Sequence, residues 1–281
     1  EMESIRNKNL NAFDEALWQH VSFFLANLTK SVLHGLGLSR LLKSKNKQVN
    51  LYYDLLRAYS SQLAFLSDFA MLAMGSNLKR KEFISARLGD ILSYLYLLSA
   101  VLHQYHQRGE PEQERPLFDW ACQYLLNRCE TAIQGIITNF PVRGTKLLLK
   151  FCLMPFGKKR NAPQDILSSQ LAALLVKPNA ARSYLTRFVF QEDIDRCPIG
   201  KLEKVFQMLS QAESIEKKLA HALKAGRLES LTIFEQLQEA QSKDILSQEE
   251  AETFLEIERL RQQIIAVDDF SSEELVHNQG K

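Results

Sequence analysis

The amino-acid sequence predicts an all-α protein: an up-down four-helix bundle followed by a smaller helical region. Three observations predict it. Apolar residues recur every three or four positions over long stretches, the period of a helix with one buried face. Only 11 Gly and 7 Pro interrupt 281 residues, and Leu, Ala, Gln, Glu and Lys, all good helix formers, dominate. No segment shows a convincing alternation of apolar and polar residues, the mark of a strand. The chain is long enough for a real core, and 46% hydrophobic with 24% charged residues is ordinary for a globular domain.

The first helix is predicted from Asn11 to about Leu42, with Phe13, Leu17, Val21, Phe24, Leu28 and Val32 facing inward. Gly35 and Gly37 weaken its end, and a polar linker over 43–48 follows. A second helix, Asn50 to Met74, carries Tyr52, Leu55, Leu56, Tyr59, Leu63, Leu66 and Ala70 on one stripe; Gly75-Ser76-Asn77 stops it. A third, about Lys79 to Gln107, is apolar on so many sides (Phe83, Ile84, Leu88, Ile91, Leu92, Leu95, Leu98, Leu102) that it is expected at the centre. Residues 108–116, rich in Gly, Pro and charge, form a loop. A fourth helix, about Leu117 to Asn139, turns Trp120, Tyr124, Leu125, Ala132 and Ile136 inward. Four long helices with short connections make an up-down bundle.

After Pro141 the pattern changes to short helices separated by Pro155, Pro163, Pro178 and Pro198. From Gly200 the chain is again helical and more charged, and Ser247-Gln248-Glu249-Glu250 reads as a capping box. The expected division is a bundle over 1–142 and a helical subdomain over 143–281, with a soft boundary near 140–165.

A net charge of +2 argues against a dedicated nucleic-acid binder. Residues 244–281 hold 10 acidic and 3 basic side chains, and residues 1–243 hold 32 basic and 23 acidic. A basic body with an acidic end either steers an anionic partner or reflects a solvated helix end. Cys122, Cys129, Cys152 and Cys197 form no C-x-x-C pair. Cys122 and Cys129 share a helix face as small apolar groups, which fits a reducing compartment. No run of 18 apolar residues exists, so no transmembrane helix is expected. The first residues are not a signal peptide; they read as opening inside or just before a helix of a longer polypeptide.

The common catalytic signatures are missing. There is no G-x-S-x-G elbow and no phosphate-binding G-x-x-x-x-G-K-[ST] loop. Gly35-Leu36-Gly37 lacks a third glycine and a preceding strand. His103 and His106 could offer two imidazoles from one helix, but without acidic residues at comparable spacing in it no metal site is predicted. Glu249, Glu250 and Glu252 suit a solvated helix start.

One block is distinctive: Gly75-Ser76-Asn77-Leu78-Lys79-Arg80-Lys81-Glu82-Phe83-Ile84-Ser85-Ala86-Arg87-Leu88-Gly89-Asp90. It resembles the G-x-x-L-K-R-[RK]-E-x-x-S-A-R-L-G-D run of the FadE-type bacterial long-chain acyl-CoA dehydrogenases. Further blocks match in order: Asn139-Phe140-Pro141, Pro178 to Ser183, Pro198 to Glu203, and Val267-Asp268-Asp269-Phe270 with Glu273-Glu274-Leu275. Residues 154–160 match more loosely. The resemblance covers nearly the whole chain and is to the helical C-terminal region of those enzymes.

It implies a parent enzyme that uses FAD to convert a fatty acyl-CoA to the trans-2-enoyl-CoA, the first step of fatty-acid β-oxidation. Electrons pass to an electron-transfer flavoprotein or the respiratory chain. The catalytic base and the flavin contacts belong to an upstream dehydrogenase core, so no catalytic, cofactor-binding or metal-binding residue is assigned here, and Glu1 and Glu3 are not the base. The segment alone is expected to be inactive. It is expected to pack on the core, support a homo-oligomer, or hold the enzyme at the inner membrane from the bacterial cytoplasm. The alternative is a free-standing helical interaction or scaffold protein.

Two surfaces are candidates for contact. Leu147, Leu148, Phe151, Met154 and Phe156 lie beside Lys158, Lys159 and Arg160, with Lys146 and Lys150 nearby. Such a segment either dips into anionic lipid or is a short core helix followed by a basic loop. Lys79, Arg80, Lys81 and Arg87 gather at a helix start, where cations oppose the dipole. Either an intramolecular carboxylate neutralises them, with Arg87 paired to Asp90, or they meet a phosphate-rich ligand such as a CoA moiety or an acidic partner.

Overall fold

The computed structural model describes residues 10–38, 48–190, 197–229 and 232–266. Most of the polar linker and the block from Val267 to Leu275 lie outside them. The described residues are helical, without strands, and form two compact units, Glu1–Leu171 and Ala172–Lys281.

The first unit holds α1 (Leu10–Gly35), α2 (Gln48–Met74), a 3₁₀ turn (Gly75–Arg80), α3 (Glu82–Gln107), a second 3₁₀ turn (Glu112–Glu114), α4 (Arg115–Asn139) and α5 (Thr145–Leu153). Successive long helices pack on one another, α3 against α4 most extensively, and α5 packs on both α1 and α4. The core runs from Val49 and Tyr52 through Leu66, Ile91, Leu98, Leu126 and Ile133 to Leu149 and Leu153. The expected division fell before α5, yet Leu149, Cys152, Leu153 and Met154 belong to this core. Gly35 permits that packing: a Cβ there would lie 3.1 Å from the Leu153 carbonyl and from Pro155.

Several expected orientations differ. On α1 only the C-terminal half packs on the core, through Phe24, Leu28 and Val32, while Leu17 is exposed. The α3 helix is not central on all sides. Ile84, Ile91, Leu95, Leu98, Leu102 and Tyr105 are buried, but Phe83, Leu92, Tyr96 and Leu97 face outward, because two neighbours cover only part of a helix circumference. Among the described helices α3 is the one long and apolar enough to cross a bilayer by length and composition; here it is a bundle helix. On α4, Phe118, Cys122, Leu125, Leu126 and Cys129 point inward. Trp120 and Tyr124 instead stack on each other at the rim, centroids 5.1 Å apart, with the Trp120 indole donating to Ser168.

The α6 helix (Asp165–Leu175) spans the division between the units. The second unit continues with α7 (Ala180–Thr186), α8 (Pro198–Lys224), α9 (Ile233–Ser242) and α10 (Gln248–Ile265). Its core joins Ala212, Ile215, Leu219 and Ala222 of α8 to Leu237, Phe254 and Ile257. Lys204 pairs with Glu256 and Lys218 with Glu250, so α8 and α10 run antiparallel. The capping box at Ser247 and Glu250 is formed. A second one, at Thr232 and Glu235, starts α9.

Two of the distinctive blocks meet here. Arg182 forks onto Glu203 at 2.7 and 2.8 Å and lies 3.6 Å over the Phe206 ring. Asn179 caps α7 by accepting from the Arg182 amide at 3.0 Å. The Pro178 and Pro198 blocks are therefore the two halves of one structural clamp.

Candidate functional site

The α5 helix and the turn after it present a surface of mixed character. Gly144 at φ +82° turns the chain into α5, and the Thr145 hydroxyl donates to the Val142 carbonyl at 2.7 Å. Over nine residues one face, Leu149, Cys152 and Leu153, is buried. The opposite face exposes Leu147 (77%), Phe151 (59%) and Leu148 (49%), and Phe156 projects from the following turn (73%). Arg143, Lys146, Lys150 and Lys158 are exposed around them. No Asp or Glu occurs between Val142 and Gln164.

Three residues of this segment also make contacts within the fold. Met154 is buried. The Lys158 ammonium donates to Thr131 at 2.9 Å. Lys159 reaches back to the carbonyls of His34 and Gly35 at 3.1 and 2.6 Å, where a cation suits the end of α1.

The loop after α5 is fixed by a residue the sequence did not single out. Glu130, 2% exposed, accepts from the backbone amides of Lys159 and Arg160 at 2.9 and 2.7 Å and from the Tyr59 hydroxyl. The Asn127 amide donates to the Arg160 carbonyl at 2.8 Å. Burial and the facing Glu130 carboxylate raise the Tyr59 hydroxyl pKa well above its usual value. His34 packs edge-on to Tyr59 at 5.0 Å; burial, then Lys159 and Arg160, lower its pKa from 6.5 to about 4. A buried acid in an apolar helix stripe was the available signal, because such a group persists only when hydrogen-bonded or paired.

Arg80, Lys81 and Arg87 line a pocket of about 390 Å³ at the start of α3, with Glu82 and Asn139; Lys79 is exposed nearby. The expected Arg87–Asp90 pair is absent. Arg87 donates to the Phe83 carbonyl of its own helix at 3.1 Å and lies over Gly135 of α4, where a Cβ would come within 2.7 Å of its Nε. Lys81 occupies the N-cap position of α3 without a side-chain cap. None of these cations forms a carboxylate pair among the described residues.

His103 and His106 do not converge on a metal geometry: His106 instead meets Glu110 at 3.0 Å. Burial drives the Cys129 thiol pKa up to about 12 and that of Cys122 higher still, so both act as apolar filler. Two surface pockets among the described residues can be set beside what a flavin needs. These hold about 390 and 430 Å³, the low end for small ligands, and neither has a glycine-rich phosphate loop.

The profile of the family described as acyl-CoA dehydrogenase, C-terminal, bacterial type, matches residues 1–270. The chain belongs to that family. No solved structure matches the chain. The matched residues include the colinear blocks as far as Phe270, and the structure gives several of them a mechanical role: the Asn139-Phe140-Pro141 block ends α4 with Phe140 packed on Phe69, centroids 5.4 Å apart.

Proposed function

We propose that this domain is the accessory part of an FAD-dependent fatty acyl-CoA dehydrogenase and that it holds the enzyme against an anionic membrane surface through α5. The observation that carries the reading is the exposed face of Leu147, Leu148, Phe151 and Phe156, ringed by Arg143, Lys146, Lys150 and Lys158 without an acid in the segment. Apolar side chains enter the acyl boundary while the cations meet lipid phosphates. The chemistry of the parent, acyl-CoA to trans-2-enoyl-CoA with electrons leaving through an electron-transfer flavoprotein, is assigned to the upstream core and to no residue of this chain. The enzyme then works at the cytoplasmic face of the inner membrane.

The test is flotation of the 281-residue chain with vesicles of phosphatidylcholine alone or mixed with phosphatidylglycerol. Binding is expected to the anionic vesicles only and to weaken with salt. Phe151→Glu removes an apolar contribution of about 1.5–3 kcal/mol and adds repulsion, so binding falls at least ~tenfold. Leu147→Glu behaves likewise, and both variants keep wild-type unfolding because the replaced side chains are exposed. Failure of the wild-type chain to float with anionic vesicles refutes the reading.

A second contact is favoured by the outward residues of α3: Phe83, Leu92, Tyr96 and Leu97. Leu92 and Tyr96, four residues apart, share one face of α3; adjoining exposed apolar side chains mark interaction sites, and the dehydrogenase core of the same polypeptide is the partner proposed. Hydroxyl-radical footprinting should show Tyr96 protected in the full-length enzyme and reactive in the 281-residue chain. Equal reactivity in both refutes this contact.

A further inference from the structure

A pocket of about 430 Å³ lies where the loop after α5 crosses the bundle, and no part of the proposed membrane role uses it. Leu51 of α2, Leu126 of α4 and Leu167 of α6 form apolar walls; Arg160, Asn161 and the glutamines Gln123 and Gln164 supply the polar lining. No carboxylate lines it.

The cations beside this pocket differ in what they have left to give. The Lys159 ammonium is committed to the His34 and Gly35 carbonyls. The Arg160 backbone is tied to Glu130 and Asn127; its side chain meets the Tyr59 hydroxyl, while the guanidinium Nε is enclosed and meets no acceptor. A buried donor without an acceptor is costly and rare. Glu130 does not relieve it: its oxygens are taken by two amides and the Tyr59 hydroxyl, and it makes no ion pair with Arg160. The surroundings are electropositive, which is one reason His34 stays neutral. The Tyr52 hydroxyl is turned to Asp119 at 3.2 Å and also meets the Gln123 side chain, so the lining donors are the remaining N–H groups of Arg160 and the side-chain amides of Asn161 and Gln164.

We propose that this pocket binds a small monocarboxylate, its carboxylate against the Arg160 guanidinium and its short apolar body against Leu51, Leu126 and Leu167. One guanidinium, with N–H groups beyond its Tyr59 contact, matches one planar carboxylate, and the apolar walls favour a head with an attached alkyl body over a bare oxyanion. The volume falls within the range of small-ligand sites.

Isothermal titration calorimetry of the 281-residue chain tests this with hexanoate, n-hexanol and inorganic phosphate as probes. Hexanoate is expected to bind one site per chain more tightly than either of the others, since n-hexanol lacks the charge and phosphate lacks the body. Arg160→Gln keeps the backbone bonds to Glu130 and Asn127, so it should fold; hexanoate affinity should fall about 10- to 100-fold, the loss typical of a charge-assisted hydrogen bond. Arg160→Lys, which keeps charge without the fork, should fall between. Arg87→Gln, in the other cation-lined pocket, should bind hexanoate like wild type. The proposal is overturned if hexanoate shows no saturable binding, if n-hexanol or phosphate binds as well as hexanoate, or if the Arg160 variants bind it unchanged. An Arg160→Gln chain that fails to fold shifts the decision to Arg160→Lys and to the probe comparison on wild type.

Discussion

Replacing Glu130 by alanine would remove the acceptor that three donors share. The Tyr59 hydroxyl, on a residue 2% exposed, would be left buried without an acceptor, at a cost of about 1–3 kcal/mol. The amides of Lys159 and Arg160 sit nearer the surface and can rehydrate when the loop lifts, so each loses about 1 kcal/mol. The sum is about 3–5 kcal/mol, the range seen when one partner of a buried charged interaction is deleted. Tyr59→Phe alone removes one donor from Glu130 and should cost about 1–2 kcal/mol. In the double variant no hydroxyl remains to be orphaned, so the two effects should fall short of additivity by about 1 kcal/mol or more. Trp18 and Trp120 are the two tryptophans of the chain and both lie in the first unit. Urea unfolding followed by tryptophan fluorescence therefore reads that unit alone. Costs that add within about 0.3–0.5 kcal/mol would refute the shared-acceptor argument, and a loss under about 1 kcal/mol for Glu130→Ala would refute the anchoring role itself.

Other consequences follow from the same structure. His34 has a folded-state pKa below its unfolded value, so the unfolded chain binds more protons between about 4 and 6.5. Its contribution is intact above pH 6.5 and declines as pH falls towards 4, by roughly 3 kcal/mol in total; the fall in urea midpoint from pH 7.5 to 4.5 should be smaller in His34→Gln, and an identical fall in both proteins would count against it. Gly135→Ala should stabilise the first unit by up to about 1 kcal/mol through helix propensity, since the Arg87 chain end it displaces can swing to solvent; a lowered melting temperature would show that Arg87 is held there. Arg182→Lys should cost the second unit about 1–2 kcal/mol by breaking the fork onto Glu203, read as faster hydrogen exchange in α7 and α8. That clamp should also weaken in acid, because the Arg182 hydrogen bonds hold the Glu203 carboxyl below its ordinary pKa. Its stabilising effect is present above the unfolded carboxylate pKa and is lost as pH falls through the folded one.

The fold class was legible because helix periodicity is a local property. Tyr52, Leu55, Tyr59, Leu66 and Ala70 were read as one stripe of α2 and are buried together, and the cap at Ser247 and Glu250 needs only four consecutive residues. Orientation was less legible. Trp120 and Tyr124 on α4, and Phe83 and Leu92 on α3, are as apolar as their buried neighbours. Which of them faces the core depends on how many helices surround each one, and sequence spacing does not count neighbours.

The site follows the same division. Composition pointed to the basic apolar segment after Gly144 and shows that it lacks acids. Only the folded chain separates Leu147 and Phe151, which stay outside, from Leu149 and Met154, which fill the core. Glu130, Tyr59, His34 and Arg160 are far apart in sequence and meet only because α1, α2, α4 and the loop after α5 pack around one point. The sequence by itself determined the helices and the charge they carry. The tertiary structure decided which charges are buried, paired or open, because those depend on long-range contacts that a helical period does not encode.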